Sequence, residues 1–108
     1  MGPFIREVHR DLQLRGESVI RLHIKVTGVV QGVGYRFFTR RLATRMGVRG
    51  YVRNMPDGTV EIEAETEESV MESFLNGLYK GPPSAEVSEI DTEQLSGGGK
   101  YRGFDVRF

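Results

Sequence analysis

The stretch Gly28 to Arg36, GVVQGVGYR, constrains the fold more than any other part of the sequence. Its glycines at 28, 32 and 34 stand between an alternating apolar run and a segment with helical spacing. That order predicts a strand, a tight turn and a helix start with Arg36 in its first turn. Such a turn points several backbone N–H groups into one small volume. The positive end of the helix and the guanidinium add to the potential there, so a phosphate-sized anion is favoured. On spacing alone, an anion cradle and a merely sharp turn are equally supported. Neither common nucleotide motif fits: no Lys-Ser/Thr pair follows as a Walker loop requires, and Phe37 stands where GxGxxG needs its last glycine. Arg36 shifts the balance toward the cradle, because it lies off the apolar stripe, where a planar guanidinium can make two parallel contacts with a phosphate.

Ahead of the turn, Ile20, Leu22, Ile24 and Val26 alternate with Arg21, His23 and Lys25, the period of a half-buried strand. Behind it, Tyr35, Phe38, Leu42 and Met46 make a helical stripe that Gly47 closes, and Arg40, Arg41 and Arg45 read as a solvated face. Val48–Asn54 and Thr59–Glu65 are extended runs joined by Met55-Pro56-Asp57-Gly58, the chemistry of a hairpin turn. In the second run Glu61, Glu63 and Glu65 are expected to face solvent. Thr66 is the expected N-cap of a second helix with a stripe at Val70, Met71, Phe74, Leu75 and Leu78, stopped by Lys80-Gly81-Pro82-Pro83. Val87 to Leu95 is a strand that needs a bulge, since Val87 and Ile90 are three apart. After a turn at Ser96–Gly99, Phe104, Val106 and Phe108 alternate as a closing strand. The order βαββαβ with a short extra C-terminal strand predicts an α+β fold with two helices on one face of an antiparallel sheet.

A chain of 108 residues suits one core, burying about two-thirds of the unfolded surface. Residues 19–108 form the expected domain, and 1–18 read as an extension of unknown role. With no cysteine, nothing demands an oxidising compartment, and a cytoplasmic address is expected. No apolar run approaches the roughly 18 residues of a membrane span, so no membrane role is expected. His9 and His23 are the only histidines, and neither lies in a ligand set or triad.

Three motifs together resemble the acylphosphatase family: GVVQGVGYR, GYVRNMPDGTVE at Gly50–Glu61, and GPPSAEV at Gly81–Val87. The resemblance implies a ferredoxin-like α/β sandwich that hydrolyses the carboxyl-phosphate bond of acyl phosphates with no metal and no organic cofactor. It implies that Arg36 and loop N–H groups of Gln31, Gly32, Val33, Gly34 and Tyr35 bind the phosphoryl group. It also implies that Asn54 orients the attacking water, although by itself Asn54 reads as a residue leading into a turn. Thr66 departs from the glycine common in the family at that position, and a local packing difference is expected there. The chemistry suits these residues, because a carboxylate is a weakly basic leaving group and no protein acid is required.

One rival is a nucleic-acid-binding domain, since Arg49-Gly50-Tyr51-Val52 begins like an RNA-binding sheet motif. Arg53 and Met55 then stand where stacking aromatics are needed, and 15 basic against 15 acidic side chains leave no net charge. No nucleic-acid partner is expected. Another rival is a carbamoyl-phosphate-handling module of a larger protein, against which a chain ending at Phe108 favours a free, monomeric enzyme acting on a small acyl phosphate.

Overall fold

Alternation in the first strand builds the centre of the fold. In β1 (Val19–Val29), Ile20, Leu22, Ile24 and Val26 are at most 2% exposed and join one core cluster. The structure, a computed structural model, describes residues 18–108, so the reading of residues 1–17 and of His9 lies outside the described residues. After β1 come α1 (Tyr35–Met46), β2 (Arg49–Asn54), β3 (Val60–Glu67), α2 (Glu68–Lys80), β4 (Glu86–Leu95) and β5 (Phe104–Arg107).

The sheet order is β4-β1-β3-β2-β5. β1 lies antiparallel between β3 and β4, and β2 is antiparallel to β3. These four strands form the antiparallel sheet expected from the sequence, and the short extra C-terminal strand β5 joins it parallel to β2, which makes the whole sheet mixed. The chain leaves β4 at one edge, crosses the end of the sheet through residues 96–103 and joins the opposite edge. Arg21 donates to the Ser96 carbonyl, Glu65 accepts from the N–H groups of Lys100 and Tyr101 at 3.3 and 3.2 Å, and Gly50 N–H meets the Gly103 carbonyl at 2.8 Å. These contacts fix where the crossing segment lands.

The two helices cover one face. Met71, Phe74, Leu75 and Leu78 of α2 are buried with Tyr35, Leu42 and Ala43 of α1. The stripe of α1 is rotated slightly from the sequence reading. Thr39 is buried, its hydroxyl donating to the Tyr35 carbonyl at 2.8 Å, whereas Phe38 and Met46 are only partly buried. The bulge demanded by Val87 and Ile90 is present: Thr27 pairs with Glu89 and Gly28 with Val87, leaving Ser88 over. Gly28 is required here by close approach, since a Cβ would lie 2.0 Å from the Glu86 carbonyl oxygen.

Thr66 does not cap α2. It pairs with Ile20 inside β3, and Glu67 occupies the N-cap position without a side-chain hydrogen bond. Long-range pairing with β1 outweighs the local cap, which is worth only about 1 kcal/mol.

The other face of the sheet also departs from expectation. Glu65 is fully buried, Glu61 and Glu65 lie between basic partners on β1 and β2, and Glu63 lies between His23 and Tyr51. Glu61 meets His23 at 2.9 Å and Arg53 at 2.5 Å, and Glu63 meets Arg21 at 3.3 Å. Tyr101 from the crossing segment donates to Glu63 and sits edge-on to Tyr51, with its phenol pushed up to about 12, first by burial and then by Glu63.

Burial pushes the Glu61 carboxyl up, but hydrogen bonds from His23 and Arg53 outweigh it, leaving the pKa below its ordinary value. A carboxylate held low in the folded state stabilises above its unfolded pKa, and that contribution fades as pH falls through the folded value. Glu61→Gln is therefore expected to lower the Tm by a few degrees at pH 7. The gap from wild type should close below about pH 4. Thermal melts of both proteins across that range check it.

Candidate active site

The turn predicted between β1 and α1 is built from two left-handed residues. Gly32 and Gly34 have φ of 74° and 77°, and an added Cβ would meet nothing within 4 Å. Backbone conformation, not crowding, therefore selects glycine at both positions. Gly34 occupies the N-cap of α1 without a side-chain cap, and the first turn carries no acidic residue. The first intrahelical bond runs from Phe38 N–H to the Gly34 carbonyl at 3.0 Å. The N–H groups of Tyr35, Arg36 and Phe37 thus lack intrahelical acceptors and remain at the positive end of the helix.

Those residues face a cavity of about 130 Å³ lined by Val30, Gly32, Gly34, Tyr35, Arg36, Phe37 and Asn54. The volume accommodates a phosphoryl group and a water, whose share of liquid volume is about 30 Å³. Two motifs far apart in sequence therefore meet at one place, the glycine turn and the last residue of β2. Asn54 Oδ1 is buried there and has no hydrogen-bond partner among the described residues. A buried acceptor left unpaired costs about 1–3 kcal/mol, and a water donating to it relieves that cost.

Arg36 is oriented by β5 and the residue after it. Its Nη1 donates to the Arg107 carbonyl at 3.1 Å, and its guanidinium carbon lies 4.5 Å from the centroid of the Phe108 ring. It takes part in none of the ion pairs formed among the described residues. Phe37 stands at the rim, 46% exposed, with its ring 6.2 Å from that of Phe108. Val30, Phe37, Arg107 and Phe108 are not among the site residues expected from the sequence, where Phe37 reads only as the break in a GxGxxG pattern and Phe108 only as part of the closing strand; their place here depends on tertiary contact.

The side chains of the remaining loop residues turn elsewhere. Gln31 Nε2 donates to the carbonyls of Met55 and Thr59 at 2.8 Å each. Val33 packs on the core. Neither lines the cavity. The Tyr35 hydroxyl donates to the Leu78 carbonyl in the last turn of α2 at 2.7 Å, and burial pushes its phenol far above the ordinary value. The glycine turn that lines the cavity is therefore held by Gln31 against the β2–β3 hairpin and by Tyr35 against α2. The hairpin is itself organised by Asp57, which accepts from the Thr59 hydroxyl and N–H; these bonds, the hydroxyl's first, hold its carboxyl below the usual range.

The sequence profile of the acylphosphatase family matches residues 22–106. An acylphosphatase of Thermotoga petrophila is 48% identical over 87 residues, covering 81% of this chain and 96% of that protein. The crystal structure of acylphosphatase from Bacillus subtilis superposes with a TM-score of 0.80 at 32% identity, covering 82% of this chain and 99% of that one. Part of T. kodakarensis HypF is also similar, with a TM-score of 0.73 and 38% identity over 82% of this chain, but only 12% of that chain is covered.

The brace made by Gln31 is separable from the cavity it supports. Gln31→Ala removes two hydrogen bonds to carbonyls that keep other partners, so it should cost about 1–2 kcal/mol of stability. Urea unfolding monitored by circular dichroism should show the corresponding fall in midpoint with an unchanged slope.

Proposed function

The chain belongs to the acylphosphatase family and hydrolyses acyl phosphates, and on that premise we propose that Arg36 and the Gly32–Arg36 backbone hold the phosphoryl group while Asn54 aims the water. The observation that carries this reading is the shared cavity, in which a helix N-terminus, a guanidinium outside every ion pair among the described residues and an Asn54 Oδ1 with no hydrogen-bond partner among them converge.

In this mechanism the three phosphoryl oxygens take the loop N–H groups and the guanidinium fork, which stabilise charge as it spreads over them in the transition state. Asn54 Oδ1 accepts a hydrogen bond from the water and turns its lone pair toward phosphorus. The oxygen–phosphorus bond to water forms as the bond to the acyl oxygen breaks. The carboxylate departs with the electron pair, and the water's proton passes to a phosphoryl oxygen. Asn54 only orients, because an amide has no basicity at neutral pH, and a carboxylate needs no protonation to leave.

Gln31 and Val33 contribute to the cradle through backbone position, and Tyr35 through its N–H and its anchor on α2. The cradle and guanidinium carry the positive charge that the reaction uses, so the enzyme works without a metal or organic cofactor. The absence of cysteine suits a cytoplasmic enzyme, and this reading takes it as a monomer acting on small acyl phosphates. No helix is long and apolar enough among the described residues to cross a membrane. The reading as a module of a larger protein is less supported, because the small acylphosphatase of Thermotoga petrophila is matched over 96% of its length.

Benzoyl phosphate hydrolysis tests the assignment. Asn54→Ala should lower kcat by roughly 10²-fold with little change in KM. Arg36→Lys should lose most activity, because a point charge cannot reproduce the fork. Inorganic phosphate should inhibit competitively, and EDTA should leave the rate unchanged. Near wild-type turnover by Asn54→Ala would remove it from the reaction.

A further inference from the structure

At the end of the sheet that carries Asn54, two arginines stand directly opposite one another. Arg53, the residue before Asn54, pairs in register with Arg107, the last residue of β5. Like charges facing each other on neighbouring strands are destabilising, and the two side chains part. Arg53 Nε turns toward β3 and meets Glu61 Oε1 at 2.5 Å. Arg107 turns back along β2, and its guanidinium carbon lies 3.8 Å from the centroid of the Tyr51 ring.

Tyr51 is a fixed platform for that cation. It is 7% exposed, its hydroxyl donates to Glu61 Oε1 at 3.2 Å, and its ring meets that of Tyr101 at 6.0 Å. Glu61 is in turn held by His23 and Arg53. Burial first, and then the Glu61 and Glu63 carboxylates, push the phenol up, so Tyr51 remains a neutral donor. The aromatic that begins like an RNA-binding motif in the sequence is engaged within the protein by a cation.

The placing of Arg107 reaches the active site through its backbone. Its carbonyl accepts from Arg36 Nη1 at 3.1 Å, and the next residue, Phe108, sets its ring 4.5 Å from the Arg36 guanidinium carbon. β5 has four residues and is an outer strand of the described sheet, paired with β2. Backbone at the end of such a strand opens most readily. A side chain held on the Tyr51 ring ties down the residue whose carbonyl aims Arg36.

We propose that Tyr51 is a positioning residue for phosphoryl binding: its ring holds the Arg107 side chain, which keeps the Arg107 carbonyl where it directs the Arg36 guanidinium into the cavity. Tyr51 acts through Arg107 and does not line the cavity itself. The inference rests on Arg36 holding the phosphoryl group in the cradle.

Calorimetric titration of inorganic phosphate, with benzoyl phosphate kinetics beside it, tests this series of contacts. Arg107→Met keeps an apolar stem at an exposed position but removes the cation, and Tyr51→Leu removes the ring. Each should weaken phosphate binding by about three- to tenfold, the equivalent of one cation–π contact, and raise KM for benzoyl phosphate to match. The double variant should bind no more weakly than the weaker single variant, because both substitutions remove the same contact. Tyr51→Phe keeps the ring and loses the hydroxyl bond to Glu61, so it should lower the Tm while phosphate affinity stays within about twofold of wild type. Wild-type phosphate affinity in Arg107→Met, or equal losses of affinity in Tyr51→Leu and Tyr51→Phe, would overturn the inference. Arg36→Ala separates it from the cradle: a loss there with none in Arg107→Met removes the role of Tyr51 alone, whereas wild-type affinity in Arg36→Ala removes the cradle as well.

Discussion

The turn through Gly32 and Gly34 is the constraint on which the site depends. Two left-handed residues in three positions reverse the chain out of β1 and start α1 with its unpaired N–H groups facing the end of β2. A residue with a Cβ could occupy the space but would strain at these dihedrals. The turn does not hold itself in place. Gln31 binds the hairpin carbonyls on one side of it and Tyr35 binds the end of α2 on the other. The cavity is a gap between elements that long-range contacts keep at a fixed separation.

The division of labour follows from this construction. The helix N-terminus and Arg36 supply positive potential from one element, while Asn54 comes from a strand about twenty residues further on. Arg36 is in turn held by the Arg107 carbonyl and the Phe108 ring from the other end of the chain. β5 therefore serves the site as well as the sheet edge. Its parallel pairing with β2 brings Arg107 level with Arg53, the neighbour of Asn54. On the opposite face, the glutamates of β3 meet Arg49 and Arg53 of β2 in register and Arg21 and His23 of β1 on the diagonal.

What was legible in the sequence was local or carried by motif. Alternation at Ile20–Val26 gave the central strand, the spacing of Met71, Phe74, Leu75 and Leu78 placed α2 on the core, and the break between Val87 and Ile90 announced the bulge. Arg36 and Asn54 stand out as candidates when two motifs are read together, for Asn54 alone has the signature of a turn, and the fold brings both to one cavity. What was not legible depends on partners distant in sequence. Thr66 has the composition of a cap, yet pairing with Ile20 draws it into the strand. Glu65 follows an alternation that ends in solvent, yet the Lys100–Tyr101 backbone covers it. Gly28 belongs to the same glycine-rich stretch as Gly32 and Gly34, but its neighbour is the Glu86 carbonyl. Gln31 carries no local sign that its side chain braces a hairpin more than twenty residues away.

Binding and water positioning are assigned to different residues, and calorimetric titration of inorganic phosphate into wild type, Asn54→Ala and Arg36→Ala separates them without turnover. The account predicts that Asn54→Ala binds phosphate within about twofold of wild type, while Arg36→Ala loses at least about tenfold in affinity. Equal losses in both variants would contradict it, since Asn54 would then be part of the cradle and not the residue that aims the water.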